Sequence, residues 1–222
     1  MKPWLAAPAL ALALAAQAQV APSPAEVAAY TGLHAAAHRG DAAAIRAAAP
    51  AALEARDGHG RTPLHVATFA RRHDAIRALN AAGARTDTLE NDRYDAVTIA
   101  AVADDEETLR LLLSLGASAR LVTSRWHGTA LIAAAHLGHD GVVRQLIAAG
   151  APLDHVNTLH WTAVIESIVL GDGGPRHQAT LKALIDAGAN LQLADRDGRT
   201  PLQLARSRGY AAMASMLERA GR

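Results

Sequence analysis

A short phrase recurs along this chain at nearly constant intervals, and that recurrence restricts the fold more than any other feature. TGLHAAAHRG (31–40), TPLHVATFAR (62–71), DAVTIAAVAD (95–104), TALIAAAHLG (129–138), TAVIESIVLG (162–171) and TPLQLARSRG (200–209) start 31, 33, 34, 33 and 38 residues apart. A second marker keeps step. Gly83-Ala84, Gly116-Ala117, Gly150-Ala151 and Gly188-Ala189 each follow an apolar stretch, at separations of 33, 34 and 38. Two markers that share one period, and the same five-residue excess, define a tandem array of small units.

Each unit has a physical reading. Thr at the start can accept a hydrogen bond from an unpaired amide of the first helical turn, and Asp95 has the same ability in the third unit. Pro63 and Pro201 follow at the first helical position, where a missing N–H costs nothing. Gly40, Gly138 and Gly209 end the first helix, and a second helix such as DGVVRQLIAAG ends likewise at Gly150. The roughly ten polar residues that follow, with Asp-Gly or Asn at the turn, form a hairpin-like extended loop. Half of the residues are apolar but only 3% are aromatic, so the core is expected to be thin layers of Ala, Leu, Ile and Val between packed helices. The expected class is all-α: a solenoid of about six helix-turn-helix units with projecting hairpin loops.

Thr62, Pro63, Leu64 and His65, the DGHGR that precedes them, DRDGRTPLQLA (195–205) with Thr200, Pro201 and Leu202, and the closing Gly-Ala pairs resemble the ankyrin repeat family over residues 27–222. The resemblance implies stacked helix pairs with projecting hairpin fingers. It also implies a concave face, made by the fingers and first helices, that binds other proteins without a common catalytic residue or cofactor. The repeats are placed at 27–57, 58–90, 91–124, 125–157, 158–195 (insertion near 171–178) and 196–222. TPLH becomes DAVT, TALI and TAVI in repeats three to five, which leaves the motif histidine only at His34 and His65. SRWHGTALIAAAHLGH and NTLHWTAVIESIVLGDGGPRH are also similar to a bacterial group of exported ankyrin repeat proteins.

The N-terminal stretch MKPWLAAPALALALAAQAQ carries one basic residue, Lys2, an apolar run from Leu5 to Ala16, and Ala16-Gln17-Ala18, a small-x-small cleavage pattern. Residues 1–18 are therefore expected to be a signal peptide and 19–26 a short linker. The run is too short to span a bilayer. The expected mature product is periplasmic, or alternatively secreted, with no membrane insertion after cleavage, and a monomer. Cleavage would remove Lys2 and no acid, taking the charge balance from +1 to zero, which gives no electrostatic reason to expect a nucleic-acid partner. The chain has no Cys, so disulfide, thiolate and lipid-anchor chemistry are excluded.

The sequence offers little for catalysis. Of the 11 histidines, His34 and His38 have i, i+4 spacing, while His136 and His139 straddle the helix-ending Gly138. No Cys and no paired carboxylate completes a metal-ligand set. No strained nucleophile elbow appears, and Ser167 beside Glu166 does not share a helix face with it. Asp57-Gly58-His59-Gly60 and GDGG at 171–174 resemble phosphate or calcium loops only in their glycines. The acidic run Asp104 to Glu107 is expected to start a helix. The expectation is a non-catalytic scaffold that binds an exported protein partner through its concave face. Two alternatives are an accessory or stabilising factor for a periplasmic enzyme, for instance in stress protection, and a metal-dependent enzyme or metal binder that uses histidines and Glu166.

By register, Val66, Ile99, Ala133 and Glu166 are expected to escape the core on the first helices. Arg93, Arg125, Trp126, His127, His160 and Trp161 fall near the finger bases. Arg and Trp are enriched among residues that carry binding energy. The candidate partner-binding residues are Arg125, Trp126, Trp161 and Glu166, with Arg176 and His177 in the insertion. That insertion is expected to be a rim loop outside the repeat core, one whose residues 172–176 can be deleted without unfolding the array.

Overall fold

The computed structural model describes residues 19–221; the expected signal peptide, residues 1–18, lies outside them. Thirteen α-helices form one leading helix, α1 (Pro24–Ala29), and six pairs. The pairs are α2 (Gly32–Arg39) with α3 (Ala42–Arg46), α4 (Pro63–Phe69) with α5 (His73–Ala81), and α6 (Ala96–Val102) with α7 (Glu106–Ser114). They continue with α8 (Ala130–Leu137) and α9 (Asp140–Ala148), α10 (Ala163–Val169) and α11 (Pro175–Asp186), and α12 (Pro201–Ser207) and α13 (Ala211–Ala220). No strand occurs among the described residues, only an isolated bridge between Thr123 and Gly128. None of the described helices is long and apolar enough to cross a membrane.

Local chemistry sets the ends of these helices. Thr129, Thr162 and Thr200 accept from Ile132, Ile165 and Gln203 N–H, and Asp95 accepts from Thr98 N–H. The acidic run does start a helix, with Asp105 capping α7 through Thr108 N–H. Second helices close through Gly83, Gly116, Gly150 and Gly188, all at positive φ, and the N–H of each following Ala returns to the helix, as from Ala84 to the Leu79 carbonyl. Only glycine holds that left-handed turn without strain.

First helices pack on first helices and second on second, so one apolar core runs the length of the array. This arrangement corrects one expectation. Val66, Ile99 and Glu166 are buried, and of the four positions expected to escape the core only Ala133 is partly exposed. Their side chains are enclosed because each first helix lies between two others.

The segment read as a linker is also structured. Ser23 and Glu26 form a reciprocal capping box that starts α1. Glu26 then pairs with the buried guanidinium of Arg61, which also donates Nε to Asp57 at 2.7 Å and Nη1 to the Val20 carbonyl. Tyr30 Oη donates to Asp57 at 2.8 Å. Burial alone would raise the Asp57 carboxyl, but hydrogen bonds from Arg61, Tyr30 and His59 outweigh it and hold the group at about 2.

The insertion is shorter as a loop than LGDGGPRHQ suggests. Pro175 starts α11, which has 12 residues where the other middle second helices have 9. His177 thus takes the place that Arg72 and His139 hold in their repeats. All three side chains donate to the end of the first helix of the preceding repeat: Arg72 to the His38 carbonyl, His139 to Ala101 and His177 to His136.

Candidate partner-binding groove

The fingers repeat one construction. The N–H of Asp57, Glu90, Thr123, Asn157 and Asp195 donates to the carbonyl of Arg61, Tyr94, Gly128, Trp161 and Arg199 respectively. Side-chain acceptors satisfy the turn inside: Asp57 takes Arg61 N–H, Asn157 takes Leu159 and Trp161 N–H, and Ser124 takes Trp126 and Gly128 N–H. Adjacent fingers are joined by Asn91 N–H to His59, Ser124 N–H to Arg93 and Thr158 N–H to Trp126 carbonyls. Two residues before each cap the chain is left-handed. Gly60 and Gly198 hold that position in repeats two and six, whereas Arg93, His127 and His160 hold it in repeats three to five with φ of 67°, 53° and 63°. The three side chains are exposed and stand on strained backbone.

Two further columns shape the face beneath. The residue before the cap is Tyr30, Arg61, Tyr94, Trp161 or Arg199, but Gly128 in repeat four. The fifth residue of the phrase is Val66, Ile99, Glu166 or Leu204 in repeats two, three, five and six, but Ala133 in repeat four. These two truncations in one repeat leave a cavity of about 230 Å³, lined by Tyr94, Trp126, Ala133, His136, Asn157 and Glu166 among others. Trp126, 38% exposed, and Leu137, 40% exposed, stand at its mouth. The column comparison was available in the sequence; what hid the cavity was the expectation that all four column positions face solvent.

Glu166, 6% exposed, is the polar residue of an otherwise apolar column. Asn157 Nδ2 donates to its Oε1 at 2.7 Å. Burial pushes the carboxyl up to about 8, against the opposing effect of that bond. His136 Nδ1 lies 3.6 Å from Oε2, too far for a hydrogen bond. The imidazole is itself pushed down by burial and by His177 and His139. At neutral pH the pair is therefore an acid beside a neutral ring and not an ion pair.

The other candidates separate. Arg125 is exposed, with Nη2 2.8 Å from Asp92 Oδ1, and its position leaves it beside the cavity-lining Trp126. Trp161 packs partly buried against the core. His177 has both ring nitrogens engaged, by Asp172 Oδ1 at 2.8 Å and the His136 carbonyl at 2.9 Å, and serves the fold. Arg176 is exposed and pairs with Asp104 at 2.7 Å and Asp140 at 3.6 Å, at the turn end of the helices, and does not line the cavity. The motif histidines bond to backbone: His65 Nε2 to the Thr88 carbonyl at 3.0 Å and His34 Nε2 to that of Arg61 at 2.9 Å. Among the described residues no group of three or more His, Asp or Glu is placed to hold a metal ion.

The model for ankyrin repeats (3 copies) matches residues 97–195. A putative ankyrin repeat protein of Escherichia coli K12, YahD, is 34% identical over 166 residues, which is 74% of this chain and 82% of the relative. A crystallised ankyrin repeat domain from Acinetobacter baumannii AYE is 42% identical, with TM-score 0.78, 85% of this chain and 97% of that one covered. A further crystallised ankyrin repeat protein is 26% identical, with TM-score 0.74 and coverage of 85% and 98%. Ankyrin repeats are generally protein-protein interaction scaffolds, and this chain, with six helix pairs, their fingers and the capping phrases all in register, belongs to the ankyrin repeat family.

Proposed function

We propose that this chain is an exported, non-catalytic binding protein that holds a protein partner on its concave face at repeats three to five. The observation that carries the reading is the cavity beneath Trp126 and Leu137. Exposed apolar side chains around a concavity are what a partner's side chains cover. Three consecutive fingers that keep a side chain on strained backbone, in those same repeats, support it. The N-terminal sequence supports export to the periplasm, with the mature chain starting at Gln19.

A photo-crosslinking residue placed at Trp126 or at Leu137, in cells of the source organism, tests the reading. One reproducible partner should be recovered from both sites and not from Arg110 on the outer helix α7. No recovery from either site, or equal recovery from Arg110, overturns it. N-terminal sequencing of the periplasmic fraction should return a chain beginning at Gln19.

A further inference from the structure

We propose that the cavity of repeats three to five is a pocket for a single basic side chain, arginine or lysine, presented by the bound protein, with Glu166 as its counter-ion and Trp126 and Tyr94 as its walls. The inference rests on the reading of the concave face as a partner-binding surface and names the chemistry of that surface.

Four observations converge on it. First, a carboxyl group occupies a column that the neighbouring repeats fill with Val66, Ile99, Ala133 and Leu204. A buried acid in an aliphatic column costs stability, and a perturbed acid lining a cleft marks a functional site. Second, only one of its oxygens is engaged: Asn157 holds Oε1 at 2.7 Å, which fixes the carboxyl's orientation, while Oε2 accepts no hydrogen bond among the described residues. Third, at about 230 Å³ the cavity falls below the ~300–1,000 Å³ of pockets that hold a small organic ligand, which suits one side chain. Fourth, the walls include Tyr94 and Trp126, whose ring faces attract a cation, and a partly buried aromatic site strengthens that attraction.

The surrounding charges permit a cation to enter. His136 on α8 faces the carboxyl and is neutral at pH 7, since burial lowers its basicity. His177 on α11 is turned to Asp172 and the His136 backbone, and Arg206 on α12 pairs with Glu218 at 2.7 Å. On the finger side Arg125 is paired with Asp92, and Glu90 lies near Tyr94 as a second acid. Gln19 already brings a nitrogen donor to this cavity, and its Nε2 is buried with no hydrogen-bond partner among the described residues. In the mature chain Gln19 also carries the free α-amino group, a titrating cation at the cavity that leaves with it when a longer basic side chain displaces Gln19 and reaches Oε2, exchanging the unsatisfied donor for an ion pair.

Ion pairing requires the carboxylate, whereas burial keeps the empty pocket protonated up to about pH 8. Entry of a cation must therefore release a proton below that pH. The affinity for a basic side chain should rise by about tenfold per pH unit below 8 and level off above it. A partner group that accepts a hydrogen bond from the neutral acid would show the opposite slope.

The test titrates the mature protein with Nα-acetyl-arginine methylamide, and with its leucine analogue as control, followed at the Trp126 indole N–H by NMR at pH 6.5, 7.5 and 8.5. Trp126→Phe assigns the signal. The expected result is a shift with the arginine probe alone, an affinity that rises with pH, and losses of about tenfold or more in Glu166→Gln and in Ala133→Ile, which fills the cavity with its neighbours' residue. Melting temperatures of both variants no lower than that of wild type at pH 6.5 exclude unfolding as the cause. Equal response to both probes, unaltered binding in Glu166→Gln, or an affinity that falls with pH overturns the inference. Partner crosslinking at Trp126 that persists unchanged in Glu166→Gln also overturns it, and leaves the scaffold reading standing. Arginine binding without any crosslinked partner removes the scaffold reading instead.

Discussion

His177 Nε2 lies 2.9 Å from the carbonyl oxygen of His136, and so ties the start of one second helix to the end of the first helix of the repeat before it. Arg72 and His139 tie their repeats to the preceding ones in the same way. The five extra residues of repeat five, 172–176, lie before this bond and do not displace it.

Deletion of residues 172–176 should therefore leave the array folded. Gly171 would join His177 directly, as Gly138 joins His139. What is lost is the exposed Arg176 ion pairs, the Asp172 contact, the Gln178 Nε2 bond to the Gly173 carbonyl, the Tyr210 ring's packing on Gly173 and the first two residues of α11. His177→Ala in the full-length chain should cost about 1–2 kcal/mol, through a part-buried carbonyl left without its donor. Urea melts of the two variants decide: a deletion markedly worse than His177→Ala would show that the insertion is part of the fold.

Glu166 makes stability fall with rising pH. Its folded value of about 8 lies above the ordinary 4.5, so the native state retains a proton that the unfolded chain releases. Stability is full below pH 4.5 and declines until about pH 8. Glu166→Gln keeps an acceptor for Asn157 and removes the titration. It should gain on the order of 4 kcal/mol on wild type between pH 5 and pH 9. Denaturant midpoints that differ by the same amount at both pH values would refute this.

His65 acts at the other end of the scale. Burial pushes the imidazole down to about 4, against the hydrogen bond to Thr88 and other opposing contacts. The neutral ring is the native form, so stability is full above pH 6.5 and lost as pH falls towards 4. The loss should be on the order of 3 kcal/mol, and His65→Gln should melt with a shallower dependence across pH 7 to 4.5. Parallel curves would exclude His65 as the source.

The left-handed finger residues trade stability for a side chain. His160→Gly and Arg93→Gly should each stabilise the protein by about 1 kcal/mol, since glycine carries no penalty at φ of 63° or 67°. Gly198→Ala should do the reverse. A fall in melting temperature for His160→Gly would mean that the imidazole makes contacts worth more than the backbone strain.

Arg61 holds the N-terminal cap. Arg61→Met keeps much of the volume but leaves the Asp57 carboxylate without its cation, at a cost of about 3 kcal/mol. Hydrogen exchange should then rise first in α1 and α2. Uniform loss of protection along the array would count against local docking of this cap.

The repeat, its caps and its glycine stops were legible because each depends on local chemistry. Thr162 caps α10 whatever it packs against, and Gly188 turns the chain because no side chain obstructs it. The start of α1 was written just as locally in Ser23 and Glu26, but without a long apolar run to follow it the segment passed for a linker. In the insertion, Pro175 at a first helical position marked the true length of the loop.

The sequence by itself determined that the chain is an array of capped helix pairs, where each pair begins and ends, and that repeat five carries five extra residues. The tertiary structure alone decided which side of a first helix is covered. Whether Glu166 meets water or an apolar wall depends on how closely the neighbouring repeats stack, and whether Gly128 and Ala133 leave a cavity depends on what does not fill the space opposite. Those are relations between residues some 30 or more positions apart, and stacking, not local propensity, sets them.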